Sequence, residues 1–381
     1  MKKHHLVDYM KHWNDTAKLQ EEFGIYAYPH PNLPLVLFKY DQIESPKMAP
    51  IVRQSRSTVL EKDTWDLVSL GFTRFFNWGE DFAGMDEFKW DNFFVNEKID
   101  GSYFALFNYK DEWHINLSGS WGFQEIIEGT GKSWRDLILP LLNLDEPRRK
   151  DYLNKNHTYI FEFVSPYNKV VREYEVPDIY LLSIMHHEYE HPYELSPDIV
   201  DYEARDLCYS RPQSYNFNSY KEIEEFLAKK EDEDKTYEGV VIRDNANTRF
   251  KIKSKMYLTL HNMKGNGGLA APKNILPWVL KGEEAELICY FKEFEPLIME
   301  MKEKVNKEYE NLKQVWKDSL EIKEQKDFAL YIVPKTKFSG LLFDLRKNYG
   351  IVQVEDNLRK KWLNSEDLII KIVCPKEKKN V

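Results

Sequence analysis

The sequence Asn96-Glu97-Lys98-Ile99-Asp100-Gly101-Ser102 places a lysine between two segments rich in aromatic residues, 93–95 and 103–109. Both segments have the composition and partial alternation of β-strands. Lys98 is therefore predicted at the end of one strand, with an Asp-Gly turn directly after it. Gly101 is expected to let the backbone turn tightly and approach a ligand closely. Such a lysine is either a nucleophile, favoured by desolvation and nearby cations, or a solvated residue beside a hairpin turn.

The composition is that of a folded protein with more than one domain. The chain has 381 residues, of which 42% are hydrophobic and 31% charged, enough for two or three domains. Its net charge of −9 argues against a simple nucleic-acid binder. The three cysteines are scattered without metal spacing, which is typical of a reducing compartment. Without an apolar run of membrane-spanning or leader length, a soluble intracellular protein is expected.

Periodicity predicts a chain rich in strands up to about residue 262, followed by a helical region. Helices are expected at 5–22, 133–144 and 219–229, and strands at 35–40, 53–60, 65–70, 103–109, 113–118, 157–164, 178–184, 237–243 and 249–254. A glycine-rich linker is expected at 265–272. Beyond it, helices are expected at 283–326, 358–362 and 365–372, whereas 328–333 fits either a strand or a continued helix.

Three charged positions on predicted strands stand out. Glu162 lies among apolar residues in His157–Val164, where a carboxylate is costly to bury without partners. The alternative is that the Glu162 side chain points to the solvent-exposed face of the sheet. Lys251 and Lys253 are two residues apart, so both side chains leave the same face of a strand. They either hold an anion between them or stand in water.

A different motif, His187-Glu188-Tyr189-Glu190-His191, matches the zinc-protease pattern H-E-x-x-H. That chemistry requires a helix, so that both histidines share one face. Here the motif follows a predicted strand, and Pro192 comes directly after it. We expect a solvated loop at this position and not a zinc site.

Taken together, four motifs in chain order resemble those of the covalent nucleotidyltransferases. They are Lys98 in K-x-D-G, Glu162 in F-E-F, Glu238 in E-G-V-V, and Lys251 with Lys253 in F-K-I-K-S. Three flanking features make the sequence similar to the phage-type RNA ligase 1 family. These are Arg56 in S-R-S, F-F-N at 75–77, and Y-L-T-L-H at 257–261. The resemblance covers about residues 50–262.

The resemblance implies an α+β fold. An antiparallel-sheet nucleotidyltransferase (ATP-grasp-like ligase) core would be followed by a mostly helical C-terminal domain, where a DNA ligase or capping enzyme would carry an OB-fold. The expected domains are an adenylyltransferase domain at 1–262, with an N-terminal extension, and a helical domain at 263–381 that serves RNA specificity.

The resemblance also implies the chemistry and the site residues. Lys98 would attack the α-phosphate of ATP, AMP would pass to an RNA 5′-phosphate, and the RNA 3′-hydroxyl would seal the strand. Lys251 and Lys253 would neutralise the phosphate and favour the reactive amine. Mg²⁺, with Mn²⁺ as the alternative, would be held by Glu238, with Asp100 supporting either the metal or the loop. Nucleotide contacts are expected from Arg56, Arg74, Phe76, Glu162, Lys98, Gly101 and Tyr257.

Two positions depart from the family pattern. Arg74 stands where a lysine is expected, and Gly119, in Leu117-Ser118-Gly119-Ser120, replaces a lysine expected to serve the nucleotide site. The leading hypothesis is an ATP-dependent RNA ligase for RNA repair, with tRNA among its substrates, in the cytoplasm of a bacterial or phage-infected cell. The alternatives are a DNA ligase or capping-type enzyme, and a non-catalytic RNA-binding protein on a ligase fold.

Overall fold

The computed structural model of the chain describes residues 4–80, 84–122, 126–127, 130–167, 171–187, 192–255, 257–258, 271–349 and 355–374. The chain divides into two compact units, Met1–His261 and Asn262–Val381. Among the described residues, no helix is both long enough and apolar enough to cross a membrane.

The first unit contains fourteen described strands in three sheets. In chain order they are β1 (Ile25–Pro29), β2 (Leu35–Tyr40), β3 (Thr58–Glu61), β4 (Leu67–Ser69), β5 (Phe76–Asn77), β6 (Phe93–Glu97), β7 (Ser102–Tyr109), β8 (Glu112–Leu117), β9 (His157–Val164), β10 (Asp178–His186), β11 (Tyr193–Glu194), β12 (Ser214–Tyr215), β13 (Gly239–Asp244) and β14 (Arg249–Lys253). The sheets have the orders β1-β2-β3-β4, β11-β10-β9-β7-β8 and β12-β6-β13-β14-β5. All their named pairs are antiparallel except β14 with β5.

Seven described α-helices accompany these sheets. They are α1 (His5–Trp13), α2 (Thr16–Phe23), α3 (Pro50–Gln54), α4 (Trp134–Leu142), α5 (Pro147–Tyr152), α6 (Pro197–Asp206) and α7 (Tyr220–Glu233). Helices α1 and α2 cover the first sheet with Leu6, Met10 and Leu19, which are fully buried. Helices α4 and α6 bury Ile138 and Val200 against the central sheet, so each of these two sheets has an apolar core on the face that its helices cover.

The described secondary-structure elements of the second unit are all helices. Its α-helices are α8 (Pro272–Lys281), α9 (Glu284–Tyr290), α10 (Glu295–Ser319), α11 (Gln325–Ile332), α12 (Ser339–Tyr349), α13 (Glu355–Leu363) and α14 (Glu366–Val373). The long helix α10 buries Ile298, Met301, Val305 and Leu312, which follow the spacing of one helix face. The predicted α+β class, with a sheet-rich part followed by a helical part, is confirmed.

Some predicted elements were wrong in extent. The helix predicted at 5–22 is two helices, because Asn14 adopts a left-handed conformation at φ 49° and Asp15 caps the second helix. The segment predicted to enter a strand at residue 53 starts as helix α3. The helical stretch predicted at 283–326 is divided among α9, a 3₁₀ turn, α10 and the start of α11. The ambiguous segment 328–333 is helical, and most of the predicted linker at 265–272 lies outside the described residues.

Candidate functional site

Lys98 lies directly after strand β6, and the neighbouring strand determines its surroundings. Its backbone N–H donates to the Gly239 carbonyl at 2.9 Å, because β6 pairs with β13 from Val240↔Glu97 onward. This pairing brings the Lys98 amine to the Glu238 side chain, where it donates to Oε2 at 2.7 Å. Glu238 is only 4% exposed. The predicted nucleophile and the predicted carboxylate are therefore an ion pair largely shielded from water.

The strand hairpin β13–β14 adds a second lysine to this carboxylate. Gly239 lies opposite Lys253 in the register of the hairpin, and the Lys253 amine is 3.5 Å from Glu238 Oε1. Gly239 has a φ of 139°, and a Cβ there would lie 2.2 Å from the Ile252 carbonyl oxygen, so only glycine fits. Lys251 follows the alternation onto the same face, with its amine 5.8 Å from the Phe75 ring centroid.

Glu162 belongs to the central strand β9, between Tyr103 and Tyr180 of its two neighbours. Desolvation raises the pKa of this half-buried carboxyl to about 7, and the nearby carboxylates Glu238 and Asp100 add to the increase. Lys98 and Arg56 act in the opposite direction. The carboxyl therefore changes its protonation near neutral pH and interacts electrostatically with the predicted nucleophile.

Asp100 stabilises the loop that follows Lys98. Its Oδ1 accepts a hydrogen bond from the Tyr257 hydroxyl at 2.8 Å, and its Oδ2 accepts from the backbone N–H groups of Val171 and Arg172 at 3.0 and 2.8 Å. Of the two roles expected for Asp100, these contacts favour loop support. The Tyr257 hydroxyl is therefore a hydrogen-bond donor to a carboxylate of the chain.

Gly101 was expected to provide a tight turn, but glycine is required at this position for a different reason. Its φ is not in the left-handed range. A Cβ on Gly101 would lie 2.4 Å from the Phe163 carbonyl oxygen and 3.0 Å from Glu162 Cγ. Glycine is therefore needed for the close approach of this loop to β9, which brings Lys98 and Glu162 into one site.

The three other predicted nucleotide-binding residues lie on the segments before Lys98. The Arg56 guanidinium lies over the rings of Phe75 and Tyr103, at 5.2 and 5.8 Å from their centroids, and interacts electrostatically with Glu162. Arg74 is buried, with its guanidinium 4.1 Å from the Tyr40 ring and one nitrogen donating to Gln42. Phe76 packs in the core of the third sheet.

One cation near these residues was not predicted from the sequence. Lys39 interrupts the otherwise apolar and aromatic strand β2, Leu35–Tyr40, and lines a cavity of about 480 Å³ together with Gly101, Tyr103 and Gly119. Ligand pockets typically measure about 300–1,000 Å³. A lone lysine inside a strand with an apolar pattern was the signal available in the sequence.

Among the described residues, no group of three or more histidine, cysteine or acidic side chains is arranged to hold a metal ion. Mg²⁺ does not require such a cage, since it usually binds one or two carboxylates together with substrate phosphates. Glu238 offers two carboxylate oxygens, each of which is paired with a lysine amine, so a metal would bind there in exchange for one of these contacts. Of the H-E-x-x-H motif, His187 follows strand β10 as predicted, and residues 188–191 lie outside the described residues.

Comparison with known proteins identifies the family. The family model for phage-type RNA ligases, described as RNA ligase, matches residues 54–257, more than half of the chain. The chain belongs to the RNA ligase family. All of the site residues described above except Lys39 lie within the matched range.

The chain is also similar to two named viral proteins. It is 28% identical over 299 residues to a protein of Autographa californica nuclear polyhedrosis virus named as a bifunctional polynucleotide kinase/RNA ligase, covering 74% of this chain and 41% of that protein. It is 26% identical over 298 residues to the RNA ligase of Rhodothermus phage RM378, covering 62% and 68%. The chain thus spans less than half of the first relative.

Among solved structures, a protein named as an ATP-dependent DNA ligase from Aquifex aeolicus matches with a TM-score of 0.48 at 16% identity, covering 78% of each chain.

Proposed function

We propose that the chain is an ATP-dependent RNA ligase that works through a covalent lysyl-AMP at Lys98. The observation that carries this proposal is the position of the Lys98 amine, 2.7 Å from the buried Glu238 and close to Lys253 and Glu162. Membership of the RNA ligase family supports it. The 1–262 part would then be the adenylyltransferase domain, and the helical part would contribute RNA specificity.

In the first step, the Lys98 nitrogen would attack the α-phosphorus of ATP. A P–N bond forms, the bond to the bridging oxygen of the β-phosphate breaks, and pyrophosphate leaves with its electron pair. The Lys98 ammonium would first pass one proton to Glu238 or solvent to free its lone pair, and a second proton would pass to solvent as the P–N bond forms. Lys251 and Lys253 stand on the same strand face and would neutralise charge on the α-phosphate in the transition state. Glu162 would accept hydrogen bonds from the ribose hydroxyls.

Two further steps complete the proposed reaction. An oxygen of an RNA 5′-phosphate attacks the same phosphorus, and the P–N bond breaks to return the lysine. The RNA 3′-hydroxyl then attacks the 5′-phosphate and releases AMP. A divalent metal, Mg²⁺ or Mn²⁺, would supply electrostatic stabilisation of phosphate charge, with Glu238 as its ligand from this chain. RNA repair, including that of tRNA, is the proposed setting.

The test is incubation of the full chain with α-³²P-ATP and Mg²⁺, followed by denaturing electrophoresis. We expect a labelled band that is absent in Lys98→Ala and retained in Lys155→Ala, a matched control because Lys155 is exposed and pairs with Asp111. Pyrophosphate treatment beforehand removes any AMP already attached. A wild-type protein that stays unlabelled after that treatment contradicts the mechanism.

Substrate choice separates the related enzymes. We expect labelling with ATP and not with GTP, and sealing of 5′-phosphorylated single-stranded RNA in preference to nicked DNA. Labelling with GTP would indicate a capping-type enzyme, and sealing of nicked DNA alone would indicate a DNA ligase. RNA binding with no adduct under any condition would favour the non-catalytic alternative.

A further inference from the structure

Gly119 lies directly against the side chain of Lys39. A Cβ built on Gly119 would be 2.3 Å from Lys39 Cδ and 2.8 Å from its Nζ. Lys39 therefore fills the space that a side chain at position 119 would enter. The absence of a side chain at position 119 therefore leaves room for the Lys39 side chain from strand β2.

The fold holds these two residues together through contacts between the first and the central sheets. Strand β2 pairs with β3 up to Phe38↔Thr58, so the segment before β3 runs beside Lys39. In that segment, Ser57 has a φ of 60°, and its hydroxyl accepts a hydrogen bond from Asn116 Nδ2 at 2.7 Å. This bond ties the end of strand β8, and with it the turn containing Gly119, to the segment next to Lys39.

The Lys39 amine stands at a cavity wall with another cation close by. Burial lowers the pKa of Lys39, and the Arg56 guanidinium lowers it further, whereas Asp41 acts in the opposite direction. Among the described residues, no carboxylate oxygen lies within salt-bridge distance of the Lys39 amine. Holding two neighbouring cations at a partly buried site without a salt bridge to Lys39 costs free energy unless an anion binds between them.

The residues that line the cavity indicate which anion would bind there. Its walls include Gly101 and Ser102 from the loop after Lys98, together with Lys39 and Gly119. Arg56 interacts electrostatically both with Lys39 and with Glu162, which in turn interacts with Lys98. A phosphate bound at Lys39 would thus belong to the same ligand or ligand pair that reaches Lys98.

We propose that Lys39 is a phosphate-binding residue of the ligase site and supplies, from strand β2, the cation that Gly119 does not carry. Its ligand is a phosphate group, either of the ATP triphosphate or of the RNA 5′ end. This inference rests on the proposed function. It adds a residue outside the matched family range, 54–257.

The test exchanges the position of the amine. Lys39→Met retains most of the side-chain stem but removes the charge, and loss of a charge-assisted hydrogen bond should slow labelling or sealing by about 10- to 100-fold. Gly119→Lys alone should have a smaller effect, because the flexible end of the Lys39 side chain can move away from the new side chain. The double variant Lys39→Ala/Gly119→Lys should recover most of the activity by returning an amine to the same space, and Lys39→Arg should recover part.

Separate steps distinguish the two phosphate sources. Slow formation of the lysyl adduct in Lys39→Met assigns the amine to the triphosphate. Normal adduct formation with slow transfer to 5′-phosphorylated RNA assigns it to the RNA end. Wild-type rates at every step would overturn the inference, as would a loss that neither Lys39→Arg nor the double variant repairs, since that pattern indicates a structural role.

A non-covalent measurement keeps this inference separate from the ligase proposal. ATP binding to Lys98→Ala is measured by calorimetry with and without Lys39→Met, and Lys155→Met serves as the matched control. Weaker ATP binding only with Lys39→Met supports phosphate binding even if the wild-type protein forms no adduct, in which case only the ligase proposal fails. If the wild-type protein forms the adduct while Lys39→Met changes neither ATP binding nor any step, the ligase proposal stands and Lys39 is excluded.

Discussion

Glu162 should make nucleoside binding depend on pH around neutrality. Its pKa is raised to about 7, chiefly by desolvation, and only its ionised form is a strong acceptor for both ribose hydroxyls. With that pKa, about a tenth of the carboxyls are ionised at pH 6 and about nine tenths at pH 8. The affinity for a ligand that requires the carboxylate should therefore rise about tenfold over this range, or about 1.4 kcal/mol.

Adenosine is the appropriate ligand because it carries the ribose hydroxyls but no phosphate that titrates in this range. Its dissociation constant should be measured by calorimetry on the wild-type protein at several pH values between 5.5 and 8.5. The expected direction is tighter binding at higher pH, since the raised pKa keeps the carboxyl protonated below about 7. Glu162→Gln should bind weakly, with an affinity that no longer changes across the window.

The charges around Glu162 provide a second arm of the same experiment. Lys98 is the largest of the charges that lower the Glu162 pKa. Lys98→Met should therefore move the transition in adenosine affinity to higher pH. A wild-type affinity that is constant from pH 6 to 8 would refute the reasoning, and so would an equal pH dependence in Glu162→Gln.

Three further perturbations test the architecture of the site. Glu238→Gln should destabilise the full chain by about 3–5 kcal/mol in urea unfolding, because two shielded lysines lose their shared carboxylate. Asp111→Asn breaks an exposed pair and should leave the urea midpoint almost unchanged. Equal effects of the two variants would contradict this account. Gly101→Ala should lower thermal stability by overpacking worth about 1–3 kcal/mol, whereas Gly340→Ala, with nothing within 4 Å of the added Cβ, should be neutral or stabilising. Tyr257→Phe should lower the free energy of unfolding by about 1 kcal/mol through its lost hydrogen bond and should slow adduct formation. If neither the stability nor the rate of adduct formation changes, loop support by this hydroxyl is excluded.

The strands around the site could be predicted because their alternation is local and strong. Strand β9 has the bounds 157–164 that its sequence indicates, and the hairpin β13–β14 appears where two strand patterns flank a polar turn. The first helix was overextended because its apolar spacing continues across Asn14 and Asp15. Those two residues favour a cap and a left-handed conformation, a local signal that periodicity alone overlooks.

The pairwise contacts of the site could not be obtained in the same way. The sequence indicates that Lys98 and Glu238 each lie near a strand end, but their 2.7 Å contact depends on the register between β6 and β13, which are about 140 residues apart in the chain. The arrangement of Lys39 and Gly119 depends on how two sheets meet. A pattern read along one strand contains no information about a side chain contributed by another sheet.

The local charge of the site also explains why the net charge of the chain is a poor guide to its ligand. The cations placed around the loop and cavity are Lys39, Arg56, Lys98, Lys251 and Lys253. Against them stand Glu238, which is engaged by two lysines, and Glu162, which is partly protonated near pH 7. A shielded cleft with an excess of cations attracts a polyanion whatever the sum of the distant surface charges, since screening limits those charges to about 8–10 Å at physiological salt. A net charge of −9 is therefore compatible with binding of both a nucleoside triphosphate and an RNA end.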